Sequence, residues 1–346
     1  MMKRDNLSIE GLRVILFLCI FLFHAWGEMF PLGWAGINTF LVITAYFLTR
    51  KYLQYPQSEM HVREALKKRA IRLYPSYLLV IIVMTALFLV TMHQLPCDFF
   101  SYFLFAQNYQ IEFVPNITHV PGVGHFWYLT LDFYLLMIWL IVLKYVPRKY
   151  LKYTFLFLFL FSVVYRSICA FYVDSITLSY TMPWGMMDSF AVGGLLAIMT
   201  NGNSKAKFPW IVLLLAIVGL IFCIYTTAER FESNALYALT YYRTAKGYAD
   251  SPITIQIHMV MALLSLFVVW LCICNRKHYG ILSNRYLAKW GGLSYELYVF
   301  HYPILWMLSI ATQNHFVIIV IGLLVTIAAT MIWKRYVESI VTSLFS

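Results

Sequence analysis

Arg13 and His24 are the residues of the first apolar segment whose side chains could do chemistry. The segment covers residues 11–26 and reads GLRVILFLCIFLFHAW. An ionisable residue in an apolar stretch of bilayer length is costly and by default marks a functional site. Eleven positions are about three helical turns, so both side chains lie on one face, about 16 Å apart along the axis. This spacing suits a long anionic ligand whose reactive end reaches His24. The alternative is an arginine that sets topology and a histidine bonded to another helix.

The composition identifies the class of protein. Hydrophobic residues make up 62% of the 346 residues, and charged residues make up 12%. A soluble domain carries about twice that share of charge, and the mean hydropathy here is +0.73. We therefore expect an all-α polytopic membrane protein. Residues 1–346 are predicted to form a single integral-membrane domain without an appended soluble domain.

Ten apolar segments are long enough to cross a bilayer. They are residues 12–30, 34–53, 74–91, 126–144, 151–173, 183–200, 209–227, 253–274, 290–310 and 316–333. With both termini inside, 21 of the 26 Lys and Arg residues lie on the cytosolic side and three lie outside. The remaining two, Arg13 and Arg166, lie within helices. This asymmetry predicts an N-in, C-in topology. The basic excess is therefore expected to orient the protein and to meet anionic lipid or an anionic cytosolic ligand rather than nucleic acid.

Five ionisable residues are predicted to share one layer of the outer half of the membrane. Helical rise places them about 7–13 Å below the outer ends of their segments: His24, Asp132, Arg166, Asp188 and His301. Isolated charges there are costly, so we expect them to pair in a polar cavity. A purely structural ion-pair network is the alternative.

A second polar group lies at the cytosolic end of the third segment. Arg69 and Arg72 are three residues apart and are therefore neighbours on a helix. Together with Arg13 they could clamp phosphate groups, for which guanidinium forks are suited. The alternative is that they only set topology. Five of the six cysteines lie within predicted helices, so neither a disulfide framework nor a metal site is predicted.

The external segments 94–124 and 228–252 are rich in aromatic residues and asparagine. Their rings could stack on a sugar, since aromatic side chains offer an apolar face with a polar handle. The alternative is the ordinary aromatic belt of a membrane interface. Residues 116–118 match a glycosylation acceptor pattern.

Five motifs in order make the chain resemble acyltransferase family 3 of integral-membrane O-acyltransferases. The first is the Arg-x10-His arrangement of Arg13 and His24. The others are residues 36–46 (GINTFLVITAY), 69–77 (RAIRLYPSY), 125–132 (HFWYLTLD) and 292–303 (GLSYELYVFHYP). Two departures are the pair Thr44–Ala45, where the family often has Ser-Gly, and Asp132, where glutamate is commoner.

The resemblance implies transfer of an acyl group, most often acetyl, from cytosolic acyl-CoA to an extracytoplasmic or lipid-linked carbohydrate. It implies His24 as general base or acyl carrier and Asp132 as the group that orients its imidazole. Donor phosphates are expected on Arg13, Arg69 and Arg72. The remaining polar residues are expected to line the substrate cavity: Arg166, Asp188, Tyr295 and His301. No metal is expected, and the location implied is a bacterial inner membrane.

Two other functions remain open at this stage. A transporter for a polysaccharide or small anion also suits buried charges, and it predicts helices interrupted by glycine or proline. Gly193–Gly194 and Gly291–Gly292 are the pairs that fit this idea. A non-catalytic partner of a glycan-synthesis complex is the second alternative, and it predicts that His24 can be replaced without loss of function.

Overall fold

A computed structural model describes residues 4–114, 117–169, 172, 176–200, 206–231, 256–274 and 280–340. These residues form helices and turns without any strand among them, which confirms an all-α chain for this part. The α-helices of the described part are α1 Arg4–Ala25, α2 Gly36–Leu53, α3 Val62–Met92, α4 Phe99–Tyr102, α5 Gln107–Phe113, α6 Trp127–Tyr145, α7 Leu151–Ile168, α8 Ile176–Thr181, α9 Met187–Thr200, α10 Trp210–Phe231, α11 Ile257–Cys274, α12 Arg285–Gly291, α13 Ser294–Ala311 and α14 His315–Ile332.

Six helical stretches of the described part are long and apolar enough to cross a bilayer. They are Leu7–Ala25, Val62–Met92, Gly124–Tyr145, Arg148–Ile168, Ile257–Cys274 and His315–Ile340. A shorter apolar helix covers Trp210–Thr226. Segments 34–53, 183–200 and 290–310 correspond to α2, α9 and α13. Helices α2 and α13 carry more polar residues, and α9 has only 14 residues. The count of ten spans and the N-in, C-in orientation stay predictions.

Helix α3 begins at Val62, well before the predicted start at Tyr74. Residues 63–72 read REALKKRAIR, and Ala, Leu, Lys, Arg and Glu are all strong helix formers. The helix continues through Pro75, which removes one backbone hydrogen bond without ending it. The basic cluster therefore belongs to the same rigid helix as the membrane segment. The predicted helix end at Val173, Asn116, and most of segment 228–252 lie outside the described residues.

The chain divides into two compact units. The first comprises residues 1–23, 27–60 and 134–291, and its helices α2 and α9 pack closely. A Cβ on Gly193 would lie 2.4 Å from the Val42 carbonyl oxygen, and a Cβ on Gly194 would lie 2.4 Å from the Trp139 ring. These glycines therefore allow close packing of continuous helices. Asn38 donates to the hydroxyl of Ser189 at 3.1 Å and adds a polar link between α2 and α9.

The second unit comprises residues 24–26, 61–133 and 292–346. Helix α13 packs against α3 and α14 there, and Pro303 lies inside α13. The side chain of Asn314 caps α14 by accepting from the backbone N–H groups of Phe316 and Val317. This unit brings the end of α1, the start of α6 and the middle of α13 together.

Candidate active site

Three histidines meet in the second unit, each from a different helix. His24 is near the end of α1, His125 lies in the 3-10 turn that precedes α6, and His301 lies within α13. The Nδ1 atom of His24 is 2.8 Å from Nε2 of His301, and their rings stack with centroids 5.1 Å apart. The ring of His125 meets His301 edge-on at 5.1 Å. The structure thus joins two predicted site residues and adds a third histidine.

The hydrogen bonds determine which nitrogens carry protons when the rings are neutral. The backbone carbonyl of Tyr298 lies 2.6 Å from Nδ1 of His301. A carbonyl only accepts, so His301 carries its proton on Nδ1 and offers its Nε2 lone pair. Nδ1 of His24 must then be the donor in the bond to His301. Consequently Nε2 of His24 carries a lone pair, which is the form a base or nucleophile needs.

The same carbonyl also fixes His125. Nε2 of His125 lies 3.1 Å from the Tyr298 carbonyl oxygen and donates to it, which leaves the lone pair on Nδ1. That Nδ1 is buried and lacks a hydrogen-bond partner among the described residues. The hydroxyl of Tyr298 donates to the His125 carbonyl at 2.6 Å, which links α13 to the start of α6.

Proline and aromatic residues hold this cluster in place. Pro303 has no N–H to give the carbonyl one turn earlier, and its ring displaces the backbone there. The turn that carries Tyr298 and His301 precedes it. The ring of Tyr302 packs edge-on against His24, with centroids 4.9 Å apart, and lies tilted against His125 at 5.0 Å. These ring contacts tie His24 and His125 to α13.

Asp132 forms an ion pair with Arg69 of α3. Its side chain is 2% exposed, whereas that of Arg69 is 25% exposed. Oδ1 of Asp132 and Nε of Arg69 are both buried and lack hydrogen-bond partners among the described residues. Nδ1 of His24 is hydrogen-bonded to His301. That Asp132 orients the imidazole of His24 therefore stays a prediction.

Tyr295 and Arg72 lie close to this ion pair along α13 and α3. The hydroxyl of Tyr295 donates to the backbone carbonyl of Leu73 at 2.6 Å, one turn from Arg69. Arg72 is exposed. Polar groups on α3, at the start of α6 and on α13 therefore extend from Arg72 to the histidine cluster within the second unit.

Arg13 lies in the first unit, where its Nη1 is 3.4 Å from the carboxylate of Glu10 on the same helix. Its side chain is only partly exposed, and its Nε is buried without a hydrogen-bond partner among the described residues. An i, i+3 pair at this distance is weak. The guanidinium therefore keeps donor capacity for another anion.

Comparison with known proteins identifies the family. The model of the acyltransferase domain family matches residues 6–334, nearly the whole chain. The chain belongs to this acyltransferase family. The match includes every residue discussed above, and the six apolar helices make this acyltransferase an integral-membrane protein.

Curated relatives include the O-acetyltransferase OatA of Staphylococcus aureus strains NCTC 8325 / PS 47, COL and MRSA252. Each is 22% identical over 354 residues, which cover 96% of this chain and 56% of the relative. The acyltransferase thus spans about half the length of the curated relatives it matches. No solved structure gives a significant match.

Sequence reasoning missed two members of the site. The sequence analysis includes His125 in the motif 125–132 but gives it no role. The Tyr298 carbonyl is a backbone group, so its part in the site leaves no signal in the sequence. An imidazole directly before an apolar helix is the one signal that could have marked His125. Within the described residues of the acyltransferase, no group of three His, Cys, Asp or Glu side chains is arranged to hold a metal ion.

Arg166 and Asp188 form a separate, fully buried network in the first unit of the acyltransferase. Nη2 of Arg166 lies 2.5 Å from Asp188. Its other donors go to Gln256, Ser162 and the Gly185 carbonyl. All five N–H groups of the guanidinium therefore have partners within the protein. That Arg166 and Asp188 line a substrate cavity stays a prediction. The geometry favours a structural role for both residues.

We expect Arg166→Lys to destabilise the protein without changing its chemistry. Lysine cannot reproduce the planar fork, so Asp188 and Gln256 lose partners in a buried site. A hydrogen bond to a charged group contributes about 1.5–3 kcal/mol, and lysine, with three N–H donors, loses at least two of the five hydrogen bonds that the guanidinium makes. Thermal unfolding in detergent should therefore occur at a lower temperature, with turnover per folded molecule within about 3-fold of wild type. Lys152→Met, an exposed change on α7, is the control. An unchanged unfolding temperature for Arg166→Lys would contradict the structural role.

Proposed function

We propose that this protein is a membrane O-acyltransferase that uses cytosolic acyl-CoA, with acetyl as the simplest acyl group. The acceptor is a hydroxyl of an extracytoplasmic or lipid-linked carbohydrate. The observation that carries the proposal is the bond from Nδ1 of His24 to His301, because it leaves the lone pair on Nε2 of His24. Membership of the acyltransferase family and the name O-acetyltransferase of the OatA relatives support the reaction class.

In the direct route, Nε2 of His24 takes the proton of the acceptor hydroxyl while its oxygen attacks the thioester carbonyl. The C–S bond then breaks, and the thiolate leaves with the proton that His24 returns. During this step the Nδ1–H bond to His301 becomes charge-assisted and stabilises the imidazolium. Positioned proton transfer of this kind contributes about 10²- to 10⁴-fold in rate.

In the covalent route, Nε2 of His24 attacks the thioester itself, and the C–S bond breaks to give an N-acylimidazolium, whose Nδ1–H stays bonded to His301, and the CoA thiolate. The acceptor hydroxyl then attacks the acyl carbon, the C–N bond breaks, and a base takes the hydroxyl proton. The Nδ1 lone pair of His125 is a group that could take this proton, since Nε2 of His125 is already used in donating to Tyr298. Both routes need the same tautomer of His24.

The donor is proposed to enter from the cytosolic side of a bacterial inner membrane. The excess of Lys and Arg supports an N-in, C-in chain, which puts Arg13 below His24 on α1. Arg69 and Arg72 lie in the first half of α3, among the basic residues that the same rule assigns to the cytosolic side. Guanidinium groups there would bind donor phosphates, and the histidine cluster would receive the thioester.

We expect Arg13→Ala to raise the KM for acetyl-CoA about 10-fold or more, with kcat less affected. A charged hydrogen bond to phosphate contributes about 1.5–3 kcal/mol, and Arg13 holds Glu10 only at 3.4 Å. Initial rates of CoA release at varied donor give both constants. Glu10→Gln is the control, because it removes the ion pair and keeps the guanidinium. An equal rise in KM for Glu10→Gln would mean that the pair, rather than the phosphate contact, is responsible.

The test of the reaction class uses the purified protein in nanodiscs with radiolabelled acetyl-CoA and added carbohydrate acceptors. CoA release together with label on an acceptor hydroxyl is the expected result. Uptake of label into sealed vesicles without CoA release would favour a transporter. For that alternative, Gly193 and Gly194 offer little support, because both are used in close helix packing.

A further inference from the structure

We propose that Trp26 and His315 form the surface on which a sugar ring of the acceptor stacks beside His24. The inference rests on the proposed function and adds a recognition site for the ring form of the acceptor. Trp26 directly follows the last residue of α1, and His315 is the first residue of α14. Their rings stack with centroids 5.1 Å apart and an angle of 6° between the planes.

A hydrogen bond from His315 holds this stack in place. Nδ1 of His315 lies 3.0 Å from the backbone carbonyl of Ala25 and donates to it. That carbonyl belongs to the last turn of α1, where carbonyls lack a partner within the helix. The bond uses Nδ1 only, so Nε2 of neutral His315 carries a lone pair that can accept from a hydroxyl group of a sugar.

Both rings are accessible to a ligand. His315 is exposed, and Trp26 is partly exposed. Parallel rings in van der Waals contact are about 3.5–4.0 Å apart, so a distance of 5.1 Å between the centroids means that the rings are offset. Part of each face is therefore not covered by the other ring. A pyranose presents a face of C–H groups surrounded by hydroxyls, and an aromatic face with a polar atom beside it is complementary to such a ring.

The stack lies next to the histidine that the proposed reaction uses. His125 and His301 are buried, whereas His24 is partly exposed. Trp26 follows His24 by two residues, so their Cα atoms are at most about 7 Å apart. His24 bonds to His301 of α13, and Trp26 stacks on the first residue of α14. Helices α13 and α14 pack against each other, so both side chains meet the same helical pair, and a sugar on Trp26 would bring a hydroxyl towards His24.

Membrane anchoring is the other role that Trp26 could have, because tryptophan is common at membrane interfaces. An anchor contributes apolar bulk, and it does not distinguish a sugar ring from an open chain. Leucine in place of Trp26 keeps much of the bulk without a flat face, whereas phenylalanine keeps the flat face. These two substitutions therefore separate sugar stacking from anchoring.

The experiment compares acceptors that differ in the ring. The methyl β-pyranosides of glucose, galactose and N-acetylglucosamine are each paired with the open-chain alditol of the same sugar. Transfer of radiolabelled acetyl from acetyl-CoA is measured in nanodiscs. We expect the wild type to use at least one pyranoside about 5- to 30-fold better in kcat/KM than its alditol, because an alditol has no rigid apolar face to bury.

The variants test which residues carry this preference. Trp26→Leu should reduce it to less than about 3-fold by slowing transfer to the pyranoside, with the KM for acetyl-CoA within about 2-fold of wild type. Trp26→Phe should keep most of the preference. His315→Leu, at an exposed position, removes the imidazole half of the stack and should also reduce it. Trp184→Leu changes an exposed tryptophan of the first unit and is the matched control, which should keep the wild-type preference.

Equal use of every pyranoside and its alditol by the wild type would overturn the proposal, as would CoA release without label on any pyranoside. An equal loss for both members of a pair in Trp26→Leu, with the preference kept, would make Trp26 an anchor. If Trp26→Leu does not fold, His315→Leu decides. If the folded wild type releases no CoA with any acceptor, the proposed function fails and this inference fails with it. Transfer without preference for a ring, in contrast, leaves the function standing.

Discussion

His24→Ala is expected to lower the rate of acetyl transfer about 10²- to 10⁴-fold, the range that a positioned general base contributes. The variant removes the lone pair on Nε2 that both proposed routes require. His301 offers only the nitrogen that faces His24, since its Nδ1 proton is bonded to the Tyr298 carbonyl. The effect should fall on kcat, because the donor's phosphates would be bound by the arginines rather than by His24.

The measurement is single-turnover CoA release from acetyl-CoA in nanodiscs, with folding checked by thermal unfolding. His61→Ala, an exposed histidine just before α3, is the matched control and should keep the wild-type rate. A folded His24→Ala protein that transfers acetyl at the wild-type rate would contradict the assignment. Label that stays on wild-type protein but not on the variant would select the covalent route.

The sequence alone allowed the main elements of the site to be predicted. Spacing placed Arg13 and His24 on one helix, and the cost of intramembrane charge marked Asp132 and His301 as functional candidates. These arguments depend only on one helix at a time, where geometry follows from residue number. The start of α3 at Val62 was not predicted. The apolar segment begins only after the basic residues, whereas helix propensity already favours a helix across them.

Partner choice between helices could not be predicted in this way. Depth put five ionisable residues in one layer, but it did not say which would pair. The structure bonds Asp132 to Arg69 and places Arg166 with Asp188 in a different compact unit. Rotation of each helix about its axis decides such pairings, and rotation is set by packing such as that of Gly193 on α2. The proton positions on the three histidines could not be predicted either, since they depend on the backbone carbonyl of Tyr298.

His301→Leu is expected to lower kcat about 10²-fold while leaving the KM for acetyl-CoA within about 2-fold. His301 is a positioning residue on this view, because it acts through Nδ1 of His24 rather than on the substrate. Without an acceptor at that position, His24 is free to carry its proton on Nε2, and the lone pair that the reaction needs is lost. The imidazolium formed during transfer also loses a charge-assisted hydrogen bond.

His301→Gln separates this role from a loss of packing. The amide oxygen of glutamine can accept from Nδ1–H of His24, and its NH₂ group can donate to the Tyr298 carbonyl in place of the imidazole. We therefore expect Gln to restore kcat to within about 10-fold of wild type, whereas Leu, although similar in size, does not. Initial rates at varied acetyl-CoA for the two folded variants provide the comparison. If Leu and Gln lower kcat equally, the hydrogen bond is not what His301 contributes. If both raise KM instead, His301 belongs to the donor site, and the lone pair of His24 is fixed by another group.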